Sequence, residues 1–187
     1  MVAVIVRNWQ QRKGEMQKTE AQQNDLRAIV GKRMVYVYEN GWMYELYVKN
    51  YDTIDYRIHS GIVGGRWVKN QKVFLIYLGK SIFKISWTEP TGTDVSLSLD
   101  LETQRTHGTI FFPKWVGDDT KKTVCFQNDF IPLMNRYRDE GPTYPKMLVD
   151  EYSKICFLED VGLDNDDAIA CAPQDLPLDN PVRKAVP

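Results

Sequence analysis

Short runs of alternating apolar and polar residues dominate the chain from residue 32 to about residue 158. In the run 82–87, for example, Phe83, Ile85 and Trp87 occupy every second position. Successive side chains of a β-strand point to opposite faces, so these three side chains share one face. Similar runs recur at the even spacing typical of an antiparallel sheet that closes on itself. We predict strands at 33–39, 42–48, 53–59, 66–68, 73–78, 82–87, 95–101, 106–112, 123–127 and 151–158.

Turn and cap residues divide these runs. Asn40-Gly41 separates the first two predicted strands and is the strongest short-range signal for a β-hairpin. The alternation stops at 131–138, which fits a short helix with Asn128 or Asp129 near its N-terminal cap and Gly141-Pro142 beyond its end. These patterns predict a mainly β protein, an antiparallel β-barrel or strongly curved sheet with one or two short peripheral helices.

The length of 187 residues fits one domain. Residues 1–22 are rich in Gln, Lys and Glu, and we expect them to form a disordered or weakly helical extension. Residues 23–175 form the predicted barrel domain. Residues 176–187 form a proline-rich tail, in which the prolines predict an absence of regular structure.

Charge and cysteine usage narrow the class of protein. A net charge of −1 gives no field that favours nucleic acid or an anionic membrane, and no apolar run is long enough for a membrane-spanning helix. The three cysteines, Cys125, Cys156 and Cys171, lie far apart and match neither a disulfide framework nor a zinc site. We therefore expect reduced thiols in a cytoplasmic protein with no nucleic-acid or membrane partner.

A carboxylate stands where one of the apolar faces ends. If the alternation of run 82–87 continues, Glu89 shares the face of Trp87 and projects into the interior. A buried carboxylate is costly unless it holds a proton, pairs with a cation or works in a cleft. The alternative is a bend at Glu89-Pro90 that places the acid in a solvated loop, and local sequence alone favours this alternative.

Six blocks of sequence within residues 26–175 carry the most specific signal. They are 36–42 (YVYENGW), 55–61 (DYRIHSG), 65–68 (GRWV), 84–94 (KISWTEPTGTD), 107–115 (HGTIFFPKW) and 127–129 (QND). Together, and in this order, they resemble the phenolic acid decarboxylases. Several long blocks in order are far more specific than one short motif.

The resemblance implies both a fold and an activity. The implied fold is a lipocalin-like antiparallel β-barrel. The implied enzyme is a homodimer that uses neither a cofactor nor a metal. The activity is the non-oxidative conversion of p-hydroxycinnamic acids, such as p-coumaric, ferulic and caffeic acid, to 4-vinylphenols and CO2.

The resemblance also assigns residues to the site. The residues implied to be catalytic are Glu89, Arg66, Tyr36 and Tyr38. The residues that we predict to bind the substrate are Tyr36, Tyr38, Arg66, Tyr44 and Thr93. Two positions depart from the family pattern, since Met43 stands in place of an acidic residue and Val37 in place of threonine. These two departures bear on the substrate range.

The expected chemistry explains why these residue types are needed. Direct loss of CO2 would leave a vinyl carbanion that cannot delocalise into the ring. Loss of the para-hydroxyl proton, with protonation of the alkene carbon that bears the carboxylate, gives a quinone methide instead, and Glu89 is the proposed acid. Arg66 binds the substrate carboxylate or orients Glu89, while Tyr36 and Tyr38 hold either end of the substrate. Burial favours the neutral acid of Glu89, whereas Arg66 nearby favours the carboxylate.

Two other functions compete with a decarboxylase. A non-catalytic lipocalin-like barrel could bind a small aromatic ligand with the same inward tyrosines, but it has little reason to bury Glu89 and Arg66. The hypothesis of a glycoside hydrolase is weaker, because such enzymes use a pair of carboxylates and no recognisable segment supplies a second acid beside Glu89. In the plainest interpretation, the tyrosines only line the barrel and Thr93 only caps a turn.

Overall fold

The computed structural model describes residues 19–184 of the chain. Its strands are β1 (Lys32–Tyr38), β2 (Met43–Val48), β3 (Thr53–Ile58), β4 (Trp67–Lys72), β5 (Phe74–Gly79), β6 (Ile82–Thr88), β7 (Asp94–Asp100), β8 (Arg105–Phe112) and β9 (Met147–Asp160). Its helices are α1 (Glu20–Leu26), α2 (Lys114–Asp118), α3 (Ile131–Glu140) and α4 (Pro181–Lys184), with 3-10 helices at Thr120–Thr123, Gln127–Phe130 and Pro173–Asp175. The predicted class, a mainly β lipocalin-like barrel with short helices, is confirmed.

The strands form one antiparallel sheet in the order β4-β3-β2-β1-β9-β8-β7-β6-β5. The two edge strands are consecutive in the chain, because β4 ends at Lys72 and β5 begins at Phe74. Val73, which is buried, marks the corner between them. The sheet therefore curls into a nearly closed barrel, and its inward side chains form the main apolar core.

The predicted alternation matches the burial of β6 and β7. Phe83, Ile85 and Trp87 on β6 are 1%, 0% and 8% exposed. The hairpin at Asn40-Gly41 is also confirmed, since β1 pairs with β2 in antiparallel register. The predicted strand 151–158 belongs to the longer β9.

Strands β2 and β3 are buried on both faces. A stretch that we call the C-terminal segment, residues 161–184, packs on their outer face through side chains such as Ile169, Leu176 and Val182. The prediction that residues 176–187 lack regular structure is wrong at α4, because proline at the first helical position loses no hydrogen bond. Residues 185–187 lie outside the described part.

The predicted strand 123–127 is wrong. This stretch connects two 3-10 helices, and it pairs with β4 through an isolated bridge between Trp67 and Phe126 instead of a strand ladder. The helix predicted at 131–138 is confirmed as α3, but the expected cap is wrong, since Phe130 stands at the N-cap without a side-chain bond. Asn128 instead hydrogen-bonds both backbone groups of Lys69.

At the N-terminal side, α1 begins with a capping box formed by Thr19 and Gln22. Residues 1–18 of the predicted extension lie outside the described residues, and the proposed domain boundaries stay a prediction. Across residues 19–184, none of the helices has the length and apolar character that a membrane crossing demands.

Candidate active site

The barrel contains a pocket between its inward-facing side chains. All six residues predicted for the site line this pocket: Tyr36, Tyr38, Tyr44, Arg66, Glu89 and Thr93. The rest of its wall is largely apolar and aromatic, formed by Leu46, Tyr56, Ile58, Val63, Trp87, Val95, Ile110 and Phe112. A largely apolar cavity with a few converging polar groups is typical of a small-molecule site.

Glu89 follows β6 directly and is only 5% exposed. Its backbone N–H donates to Thr93 O at 2.9 Å, and Gly92, at φ 83°, donates back to Glu89 O at 2.9 Å. Trp115 Nε1 donates to Thr91 O at 3.2 Å and fastens this tight turn to the barrel end. The prediction from local sequence that Glu89 lies in a solvated loop is therefore wrong, because the turn directs its carboxylate into the pocket.

The Glu89 carboxylate is surrounded by donors. Arg66 Nη2 lies 2.7 Å from its Oε2, and the Tyr56 hydroxyl donates to its Oε1 at 2.6 Å. The Thr91 hydroxyl is 3.1 Å from Oε2. Burial opposes the charge of Arg66, but Glu89 and Tyr56 outweigh burial and raise the pKa of its guanidinium. Arg66 is therefore a fully buried cation with a single short carboxylate contact.

Three tyrosines form a compact cluster on β1 and β2. The ring centroids of Tyr36 and Tyr38 are 5.5 Å apart, and those of Tyr38 and Tyr44 are 5.3 Å apart. A Cβ at Gly108 on β8 would clash with the Tyr38 hydroxyl, so glycine at this position leaves room for that hydroxyl. Burial is the main cause that raises the pKa of all three hydroxyls, and they therefore stay neutral donors at neutral pH.

Several polar atoms of the pocket wall have no hydrogen-bond partner within residues 19–184. They are Tyr44 Oη, Arg66 Nε and Trp87 Nε1. A buried unsatisfied polar group costs about 1–3 kcal/mol, so such a cluster indicates a site for a ligand rich in acceptors. A carboxylate or phenolate fits this description.

Sequence reasoning missed two side chains of this site. Tyr56 stands in the predicted strand 53–59, and its bond to Glu89 spans 33 residues along the chain. Gln127, whose Oε1 accepts from Arg66 Nη2, lay in a stretch predicted as strand. Both residues stand in the family-like blocks 55–61 and 127–129, but nothing in those blocks assigns either role.

The two departures from the family pattern lie outside the pocket. Val37 and Met43 pack with Leu176 and Val182 on the outer face. Strand alternation turns both side chains away from the interior, and the expectation that these departures bear on substrate range stays a prediction.

Comparison with known proteins agrees with this geometry. A family model described as phenolic acid decarboxylase (PAD) matches residues 26–183. The chain is 51% identical over 160 residues to a probable phenolic acid decarboxylase of Vibrio cholerae serotype O1, covering 86% of this chain and 92% of the relative. It is 54% identical over 145 residues to the phenolic acid decarboxylase PadC of Bacillus subtilis (strain 168), covering 78% and 90%. These matches argue against a non-catalytic binder: the chain belongs to the phenolic acid decarboxylase family, a family of carboxy-lyases.

Proposed function

We propose that this enzyme converts p-hydroxycinnamic acids, namely p-coumaric, ferulic and caffeic acid, to 4-vinylphenols and CO2. The reaction consumes one proton at the alkene carbon and releases the carboxylate carbon as CO2. The supporting observation is the buried Glu89–Arg66 pair in an aromatic pocket whose wall carries unsatisfied donors.

The substrate ring serves as the electron sink in this proposal. Glu89 protonates the carbon next to the carboxylate, the para-hydroxyl proton passes to solvent, and a quinone methide forms. Cleavage of the bond to the carboxylate then returns two electrons to the ring, and protonation of the phenolate completes 4-vinylphenol. A general acid positioned at the alkene carbon typically contributes a factor of about 10²–10⁴.

The geometry supports one orientation of the substrate. Glu89, as the acid, must reach the carbon that bears the carboxylate, so the carboxylate falls at the end of the pocket that holds Arg66. The para-hydroxyl then points toward Tyr36 and Tyr38. Their raised pKa keeps these tyrosines protonated, so they donate hydrogen bonds to a substrate phenolate and do not compete with it for the negative charge.

This orientation also addresses how Glu89 obtains its proton. In the absence of substrate, Arg66 holds the Glu89 carboxylate. We propose that the substrate carboxylate pairs with Arg66 through its unpartnered Nε, which weakens the hold of Arg66 on Glu89. Glu89 can then take up a proton and deliver it to carbon.

The test compares p-coumarate with cinnamate, which lacks the para-hydroxyl. Purified protein should remove the near-ultraviolet absorbance of p-coumarate with release of CO2, and it should leave cinnamate unchanged. Turnover of cinnamate at a comparable rate would contradict the quinone methide route. No turnover of p-coumarate, ferulate or caffeate would contradict the proposed substrate class.

We also propose a homodimer, from the family resemblance, and a cytoplasmic location, from the spacing of the three cysteines. The outer face of edge strand β5 exposes Ile76 (50%) and Leu78 (56%), and exposed apolar surface of this kind marks association sites. Sedimentation equilibrium should therefore give twice the chain mass of 21.7 kDa. A mass of one chain at micromolar concentration would contradict the dimer.

A further inference from the structure

Gln127 is a buried amide that contacts the Glu89–Arg66 pair. Gln127 is only 2% exposed, and its Oε1 accepts a hydrogen bond from Arg66 Nη2. The same nitrogen lies 2.7 Å from Glu89 Oε2. One guanidinium nitrogen therefore joins the acid to the amide.

The segment that carries Gln127 is fastened to the strand that follows Arg66. Trp67 N donates to Cys125 O at 3.2 Å, and the rings of Trp67 and Phe126 stack with centroids 3.9 Å apart. On the other side, the Asn128 side chain accepts from Lys69 N at 2.9 Å and donates to Lys69 O at 2.8 Å. Contacts on both sides of Gln127 thus fix its position against β4.

The chemistry of an amide suits this position. A neutral oxygen can hold the guanidinium in one orientation without neutralising its charge. A carboxylate in the same place would share the charge of Arg66 and compete with both Glu89 and an incoming substrate carboxylate. The fixed orientation also leaves Arg66 Nε unpartnered in the pocket wall.

We propose that Gln127 is a positioning residue that orients Arg66 between Glu89 and the substrate carboxylate. This inference rests on the proposed function, in which Arg66 binds that carboxylate. Gln127 acts through Arg66, so its replacement should change both substrate affinity and turnover.

The test uses two replacements of similar size, Gln127→Leu and Gln127→Glu. Gln104→Glu is the control, because it adds the same charge at an exposed turn between β7 and β8. KM and kcat for p-coumarate are measured separately, and circular dichroism melting reports the folded fraction. A misplaced guanidinium should lower kcat/KM of Gln127→Leu by about 10- to 100-fold.

Gln127→Glu should raise KM by about tenfold at neutral pH, because the added carboxylate draws on the charge of Arg66. Its defect should shrink as the pH falls below about 4, because Arg66 lowers the pH at which the added carboxyl takes up a proton. Gln104→Glu should match the wild type throughout. If both Gln127 variants keep KM and kcat within about twofold of wild type per folded molecule, the positioning role is overturned, whatever their melting temperatures.

Binding of cinnamate separates this inference from the proposed function. Quenching of tryptophan fluorescence gives its dissociation constant without turnover, and Gln127→Glu should weaken binding by about tenfold. Failure of the wild type to turn over p-coumarate would contradict the proposed function alone. Unchanged cinnamate affinity in Gln127→Glu, with wild-type turnover intact, would contradict the inference alone.

Discussion

Two glutamate–arginine pairs are buried on opposite faces of the same barrel, and their hydrogen bonding differs. On the outer face, Arg57 holds Glu45 with two bonds, Nε to Oε2 at 2.6 Å and Nη2 to Oε1 at 3.0 Å. Its Nη1 donates to Cys171 O in the C-terminal segment at 3.2 Å. On the inner face, Arg66 meets Glu89 through one nitrogen, and its Nε has no partner in the described chain.

The difference shows that burial of an ion pair does not by itself indicate function. The outer pair is satisfied by protein groups, including His59 Nε2 at 2.8 Å from Glu45 Oε2. The inner pair keeps a donor, Arg66 Nε, that has no partner within the described residues, and Arg66 lines the pocket. We infer that the outer pair holds the C-terminal segment in place and the inner pair serves catalysis.

The same substitution in each arginine sharpens this comparison most. Arg66→Met should lower kcat/KM for p-coumarate by about 30-fold to several thousand-fold, since removing one member of a buried charge pair costs about 2–5 kcal/mol. Steady-state kinetics at neutral pH measures this loss.

Arg57→Met is the matched variant. It should lower the free energy of unfolding by about 3–5 kcal/mol, because Glu45 is left buried without its main partner. Urea denaturation measures this loss, while kcat per folded molecule should stay within a few-fold of wild type. Equal catalytic losses in the two arginine variants would contradict the division between the two pairs.

A second, smaller contrast uses one tyrosine from each face. Tyr38→Phe should lower kcat/KM by about 10- to 100-fold, because a phenolate oxygen loses one donor. Tyr47 lies on the outer face, where its hydroxyl donates to Gly162 O at 2.6 Å and accepts from Asn165 N at 2.9 Å. Tyr47→Phe should therefore cost about 1–2 kcal/mol of stability and leave kcat/KM unchanged. A larger kinetic loss in Tyr47→Phe than in Tyr38→Phe would reverse the contrast.

The smallest expected effect is on the stability of the fold at acid pH. Burial would raise the pKa of Glu45, but the hydrogen bonds from His59 and Arg57 outweigh it and lower this pKa below the usual 4.5. A folded-state pKa below the unfolded value stabilises the protein above pH 4.5, and this stability is lost as the pH falls below that value. Urea midpoints of wild type should therefore fall more steeply in this range than those of Glu45→Gln. Parallel pH profiles would contradict a stabilising role of the ionised Glu45.

The sequence was sufficient to predict the inner face of the barrel and much of its site. Period-two alternation placed Tyr36 and Tyr38 on one inward face, and the family resemblance joined them to Arg66 and Glu89. The burial of Glu89 could not be predicted locally, because it depends on a turn that Trp115 anchors from a distant helix. The outer pair was also unpredictable, since Glu45 and Arg57 sit at polar positions that become buried only when the C-terminal segment packs over them.

The most direct test is the same isosteric change at the two buried glutamates. Glu89→Gln and Glu45→Gln each remove one charge, and kcat for p-coumarate is measured beside the folded fraction. The account predicts that Glu89→Gln keeps its fold and loses about 10²–10⁴-fold in kcat, while Glu45→Gln loses stability and keeps kcat within a few-fold. Near-wild-type kcat in Glu89→Gln would contradict the assignment of Glu89 as the acid that protonates carbon.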